Sequence, residues 1–226
     1  MRNLILSILF LFFCAGQCFA RISVSPVVIE AEQVPKGASF LINCLQLNTQ
    51  PVDVRLSLAL FDQDEKGQIY FLEDKISIQK ANSLLALENE GFRLEPGEEK
   101  NIKVEVARDF EDSVYAVLFV KPLQKGMPMR LAVLFLLSAG KAEEKVVLTS
   151  WTHWEQSLDL RVENQGRSPG LWLGEVLFYD SGGNLGKKME VQSGVVLAGR
   201  TRDLRINLPS WVEAVDLRPR KAGLER

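Results

Sequence analysis

The residues that could most readily do chemistry together lie in one short segment, Asp62 to Glu73, which reads DQDEKGQIYFLE. Carboxylates at its first, third and last positions (Asp62, Asp64, Glu73) and a glycine at its sixth (Gly67) follow most of an EF-hand calcium loop. The fifth position breaks the pattern, because Lys66 puts a cation where an oxygen ligand belongs. A loop of that type also needs a helix on each side, so the flanks decide. Before it, VDVRLSLALF carries Val52, Val54, Leu56, Leu58 and Leu60 at a period of two, the signature of a strand with one buried face. After it, QIYFL is short, aromatic and strand-prone. The segment therefore reads as a hairpin turn, with Gly67 at positive φ and the acids in water. A surface calcium site on Asp62, Asp64 and Glu73 is the alternative use; otherwise no metal is expected.

Catalytic chemistry is hard to assemble from the rest. The chain has one histidine, His153, in TSWTHWEQ between Trp151 and Trp154. A Ser-His-Asp arrangement would have to use it, but a packed or half-exposed histidine just past the domain junction is the simpler reading. The chain has three cysteines, Cys14, Cys18 and Cys44. One histidine and so few thiols make no transition-metal cluster. GxGxxG, P-loop, GxSxG and HExxH motifs are absent. Nothing singles out a carboxylate pair for glycoside hydrolysis. The expectation is a non-enzymatic protein without a cofactor. A formal net charge of −2 argues for neither nucleic acid nor an acidic membrane surface as partner.

The N-terminus reads MRNLILSILFLFFCAGQCFA. Arg2, the apolar run Leu4 to Phe13 and the small residues before Arg21 make a secretory signal peptide over residues 1–20. A retained anchor is the competing reading, although the apolar run is short for a membrane span. Export implies a soluble, periplasmic product without membrane insertion. Removal of the signal leaves Cys44 as the sole cysteine, so an internal disulfide is excluded and stability rests on core burial. Within FLINCLQL, that thiol reads as a buried apolar group.

The remaining elements follow the same strand logic. Arg21 to Ala31 is a strand interrupted by Pro26, which suits an edge or a switch between sheets. Phe40 to Leu47 is another, and FRLEPGEEKNIKVEVA places a Pro96-Gly97 turn before alternating Ile102, Val104 and Val106. Val114 to Val120 and Leu131 to Leu137 are apolar enough to be central strands. The second half repeats this layout. LINCLQLNTQPVDVRLSLALFDQDEKGQI parallels LDLRVENQGRSPGLWLGEVLFYDSGGNLG, with strands ending at Asn48 and Asn164, and with Phe61-Asp62 matching Tyr179-Asp180. FRLEPGEEKNIKVEV likewise parallels VVLAGRTRDLRINL. The expected fold class is all-β, two tandem immunoglobulin-like sandwiches over residues 21–140 and 145–218, with a basic tail at 219–226. All four tryptophans (Trp151, Trp154, Trp172, Trp211) lie in the second half. Of Trp151 and Trp154, one is expected to plug the second core and the other to pack at the interdomain contact, with an exposed binding aromatic as the alternative.

Taken together, ISVSPVVIE after a signal peptide, RLEPGE at Arg93 to Glu98, VYAVLFVKP and the closing strand MRLAVLFLL resemble the periplasmic pilus-assembly chaperones. The resemblance implies two immunoglobulin-like domains and binding of secreted or surface subunits by strand addition. Implied as the client-binding edge is Leu131 to Leu137, with Leu131, Val133, Phe135 and Leu137 on one face; the first domain's own core is the other use for that face. The family's basic pair for a client carboxylate has no direct match here. Arg21, Lys121 and Arg130 stand in only by proximity, and the cysteine pair often found in the family's second domain is missing. A structural or adhesive surface module on the same fold is the alternative function.

Overall fold

The computed structural model describes residues 22–47, 49–123, 129–141 and 143–219. The signal peptide, Arg21, Asn48 and the tail from residue 220 lie outside the described residues.

Alternation of apolar and polar side chains builds the first sandwich. Its strands are β1 (Ile22–Ser25), β2 (Val28–Ala31), β3 (Ser39–Gln46), β4 (Val52–Gln63), β5 (Ile69–Leu72), β6 (Leu85–Leu87), β7 (Gly91–Leu94), β8 (Glu99–Val106), β9 (Val114–Pro122) and β10 (Leu131–Leu137). One sheet runs β1-β3-β8-β6; the other runs β2-β10-β9-β4-β5, with β7 also paired to β4. The chain switches sheets at Pro26, since β1 pairs with β3 and β2 with β10. Between the sheets, Val52, Val54, Leu56 and Leu58 of β4 meet Ile102, Val104 and Val106 of β8 in one buried cluster. Cys44 is fully buried there, and desolvation pushes its thiol up to about 11.

A helix, α1 (Lys75–Leu84), interrupts the strands where no helix was expected. Asp74 caps it, accepting from Ile76 N and Ser77 N at 3.0 Å each, which satisfies two of the free amides of its first turn. Ala81 and Leu84 are its buried face.

The second sandwich comprises β11 (Val146–Trp154), β12 (Ser157–Asn164), β13 (Leu173–Tyr179), β14 (Leu185–Gln192), β15 (Thr201–Asn207) and β16 (Ala214–Pro219). Its sheets are β11-β12-β15 and β14-β13-β16, closed on a core of Leu158, Leu160, Val162, Val176 and Phe178. The tryptophan that fills this core is Trp172. Trp151 and Trp154 are both exposed (46% and 57%), so neither plugs the core nor packs between the domains. They sit on β11, an edge strand of its sheet among the described residues. The same strand carries His153 opposite Leu158, at the hairpin end of β11 and away from the junction.

The two halves share their hairpin chemistry. Asp64 Oδ1 accepts from Lys66 N and Gln68 N, and Asp180 Oδ1 accepts from Gly182 N and Asn184 N. Gly67 (φ 78°) and Gly183 (φ 73°) follow at the same offset. The equivalent of Asp180 is thus Asp64 rather than Asp62. A shift of two residues preserves which face each side chain takes, so it leaves no trace in the alternation.

Candidate functional site

β10 settles which side chains a partner could meet. Val133, Phe135 and Leu137 are fully buried in the first core, and Leu131 is half-buried against it. The expected client-binding face is therefore the domain's own core face. Successive strand residues point to opposite sides, so the outward set is Ala132, Leu134 and Leu136. It joins Ala59, Phe61, Val117 and Phe119 in a second apolar cluster on the outer face of that sheet.

The backbone of β10 is covered over only part of its length. β2 runs parallel to it from Leu134↔Val28 to Leu137↔Ala31. The N–H groups of Leu134 and Ser138 donate to Val27 O and Ala31 O (2.9 Å each), so even-numbered residues aim their amides at this side. The preceding amide of that set, Ala132, lies on the stretch Leu131–Val133, where β10 has no paired strand on this side among the described residues. β2 is itself the last strand of the sheet. Val27 and Val28 beside the step are 57% and 44% exposed.

The three candidate anchor cations behave differently. Arg21 lies outside the described residues. Lys121 is exposed on β9, paired across to Arg55 of β4. Arg130 is already engaged: Nη1 and Nη2 each donate to Glu73 at 2.6 Å, and the guanidinium lies 3.8 Å from the Phe119 ring centroid and 5.6 Å from that of Phe71. The Arg130 bond holds the Glu73 carboxyl below its usual range.

That engagement also disperses the three acids considered for calcium. Glu73 goes to Arg130, Asp64 caps its own turn, and Asp62 receives Arg200 Nε and Nη2 at 2.6 and 2.5 Å. Burial alone would raise the Asp62 carboxyl, but the Arg200 contacts and the Gln63 amide outweigh it and hold it low. Among the described residues no group of three or more His, Cys, Asp or Glu side chains is placed to hold a metal ion.

The hairpin that suggested calcium is instead a bolt between the sandwiches. Besides Asp62–Arg200, Gln63 Nε2 donates to Val195 O (2.9 Å) and its Oε1 accepts from Leu197 N (3.1 Å). Glu65 O accepts from Asp203 N (2.6 Å), and the Glu65 carboxylate reaches Arg161 at 3.5 Å. Gly67 is required by its positive φ, whereas the Arg202 guanidinium that lies over it is the end of a flexible side chain and could move aside for a methyl group. Tyr115 Oη accepts from Ala198 N (2.9 Å), and Leu197 enters the outer apolar cluster of the first sandwich. The sequence contained each of these residues but no signal of their pairing, because the partners lie 83 to 138 positions apart.

Beside this junction lies a cleft of about 500 Å³. Glu30 and Glu32 from the β2 side, Leu136 and Ser138 from the end of β10, and Glu144 and Val195 from the second half line it, with no Lys or Arg among the described residues of its lining.

No known family model matches the chain, and no curated protein does. Solved structures do. A chaperone–tip adhesin complex of CFA/I fimbriae aligns with a TM-score of 0.59 at 10% identity, over 88% of this chain and 98% of that one. The class 5 fimbriae chaperone CfaA gives 0.55 at 10% identity, over 91% and 95%. The CsuC–CsuE chaperone–tip subunit pre-assembly complex of Acinetobacter baumannii Csu pili gives 0.51 at 16% identity, over 82% and 90%. The chain has the fold of the pilus-assembly chaperones. At such identities the likeness concerns the fold, two immunoglobulin-like sandwiches, and the site chemistry has to come from this chain's own residues.

Proposed function

We propose that this chain is an exported, non-enzymatic protein-binding protein of chaperone type, acting in the periplasm. It takes an extended segment of a secreted or surface subunit as an added β-strand. The observation that carries the reading is the uncovered stretch Leu131–Val133 of β10 beside exposed Val27 and Val28. An open edge with apolar flanks recruits another strand unless something blocks it. The side chains offered to such a strand are Ala132, Leu134 and Val28. The fold shared with fimbrial chaperones, two of them solved with a tip subunit, supports the same reading. Among the described residues no helix is long and apolar enough to cross a membrane.

Ala132→Pro tests it. Proline removes the outward amide while leaving the β9 ladder, which uses the odd-numbered residues, in place. Periplasmic subunits that co-purify with the wild type should fall at least tenfold with Ala132→Pro and with Ala132→Glu, at an unchanged melting temperature. Equal recovery with both folded variants would contradict strand addition at this edge.

A further inference from the structure

The uncovered edge leads from Ala132 past Val28 towards the cleft, and the cleft has a distinct charge. β2, as the last strand, has no paired strand on its other side among the described residues, and its register pairs Val28 with Leu134 and Glu30 with Leu136. Those pairs share the outer face of the sheet, so the apolar face at Leu134 and Val28 gives way to a carboxylate at Glu30. Glu32 follows just past the end of that strand, and Glu144 also lines the cleft. Glu30 and Glu144 are exposed and have no ion-pair partner among the described residues. The cation nearest in role, Arg130, is held by Glu73 at the other end of β10.

A client carboxylate entering this cleft would meet like charge, and a lysine or arginine would meet opposite charge. From these observations we propose that the partner segment taken up at this edge is cationic where it reaches the cleft: an extended peptide with alternating apolar residues beside Ala132 and Val28, and a Lys or Arg about four residues further on to meet Glu30 and Glu144. The spacing follows from a rise of about 3.3 Å per residue along the four positions from Ala132 to Leu136. The proposal rests on the strand-addition reading. It replaces carboxylate capture with ammonium or guanidinium capture, and like-charge rejection then excludes acidic segments.

The test uses the full mature chain and three fluorescein-labelled peptide amides of one alternating Val/Thr sequence, with Lys, Thr or Glu at the cleft-facing positions. Binding is read by fluorescence anisotropy at low and at high salt. The lysine peptide should bind at least tenfold more tightly than the glutamate peptide, with the difference shrinking in high salt. The double variant Glu30→Gln/Glu144→Gln should erase the preference while retaining affinity for the threonine peptide, whereas Glu111→Gln, an exposed control, should keep it. No preference, or a preference that survives in the double variant, overturns the cationic assignment. A threonine peptide that binds wild type and Ala132→Pro equally overturns strand addition instead, so the two failures are distinguishable. Absence of binding by all three peptides at millimolar concentration overturns both.

Discussion

At the scale of single residues, the two arginine–carboxylate pairs decide what the candidate site is not. Arg130 was a candidate anchor and Glu73 a candidate calcium ligand; each is the other's partner, and two rings beneath the guanidinium fix its plane. Asp62 shows how such a pair depends on pH. The folded chain holds its carboxyl below the ordinary range, so it binds that proton less readily than the unfolded chain does. The stabilisation is complete above the unfolded carboxylate range, near pH ~4, and is lost as pH falls through the depressed value. Asp62→Asn should cost about 1 kcal/mol at neutral pH, because it removes a two-bonded ion pair from the half-buried carboxylate while the exposed Arg200 is taken up by water. Below about pH 4 the wild-type melting temperature should fall more steeply than that of the variant. Parallel curves in a pH series of thermal melts would contradict the pairing.

At the scale of elements, β10 shows how far alternation can be read. Its extent, Leu131 to Leu137, is legible in the sequence because seven apolar residues between breakers make a strand. Its facing is not, because both faces are oily: the odd residues fill the sandwich and the even residues cover the outer cluster. Patterning specifies facing only where one side is polar, as in the first half of β4, where Val52, Val54, Leu56 and Leu58 are buried and Asp53, Arg55 and Ser57 exposed; from Ala59 on, the other face is covered as well. Phe135→Ala should therefore cost about 3–5 kcal/mol in urea denaturation, and Leu134→Ala less than half of that. Equal or reversed costs would contradict this facing. The helix α1 escaped the sequence reading for a related reason. Its apolar residues are few, Ile76 is 78% exposed, and the Asp74 cap that starts it resembles turn chemistry. The β4–β5 hairpin was legible as a turn, whereas its task of gripping the second sandwich depends on contacts that no local pattern encodes.

At the scale of the whole molecule, the internal repeat foretold two sandwiches, and the structure adds how they are joined. Polar bonds from Asp62, Gln63 and Glu65, with Leu197 seated among Phe61, Val117 and Phe119, close one side of the junction. The cleft with Glu30, Glu32 and Glu144 opens beside it. In the first sandwich the Leu131–Val133 stretch of β10 has no paired strand on its β2 side among the described residues, and the functional account stands on that edge. Amide hydrogen exchange along β10 of the free protein tests it most directly. The Ala132 amide should exchange as freely as a loop amide, while those of Leu134 and Ser138, bonded to Val27 and Ala31, should exchange far more slowly. An Ala132 amide as protected as that of Leu134 would mean that the edge is already closed, and would contradict the account.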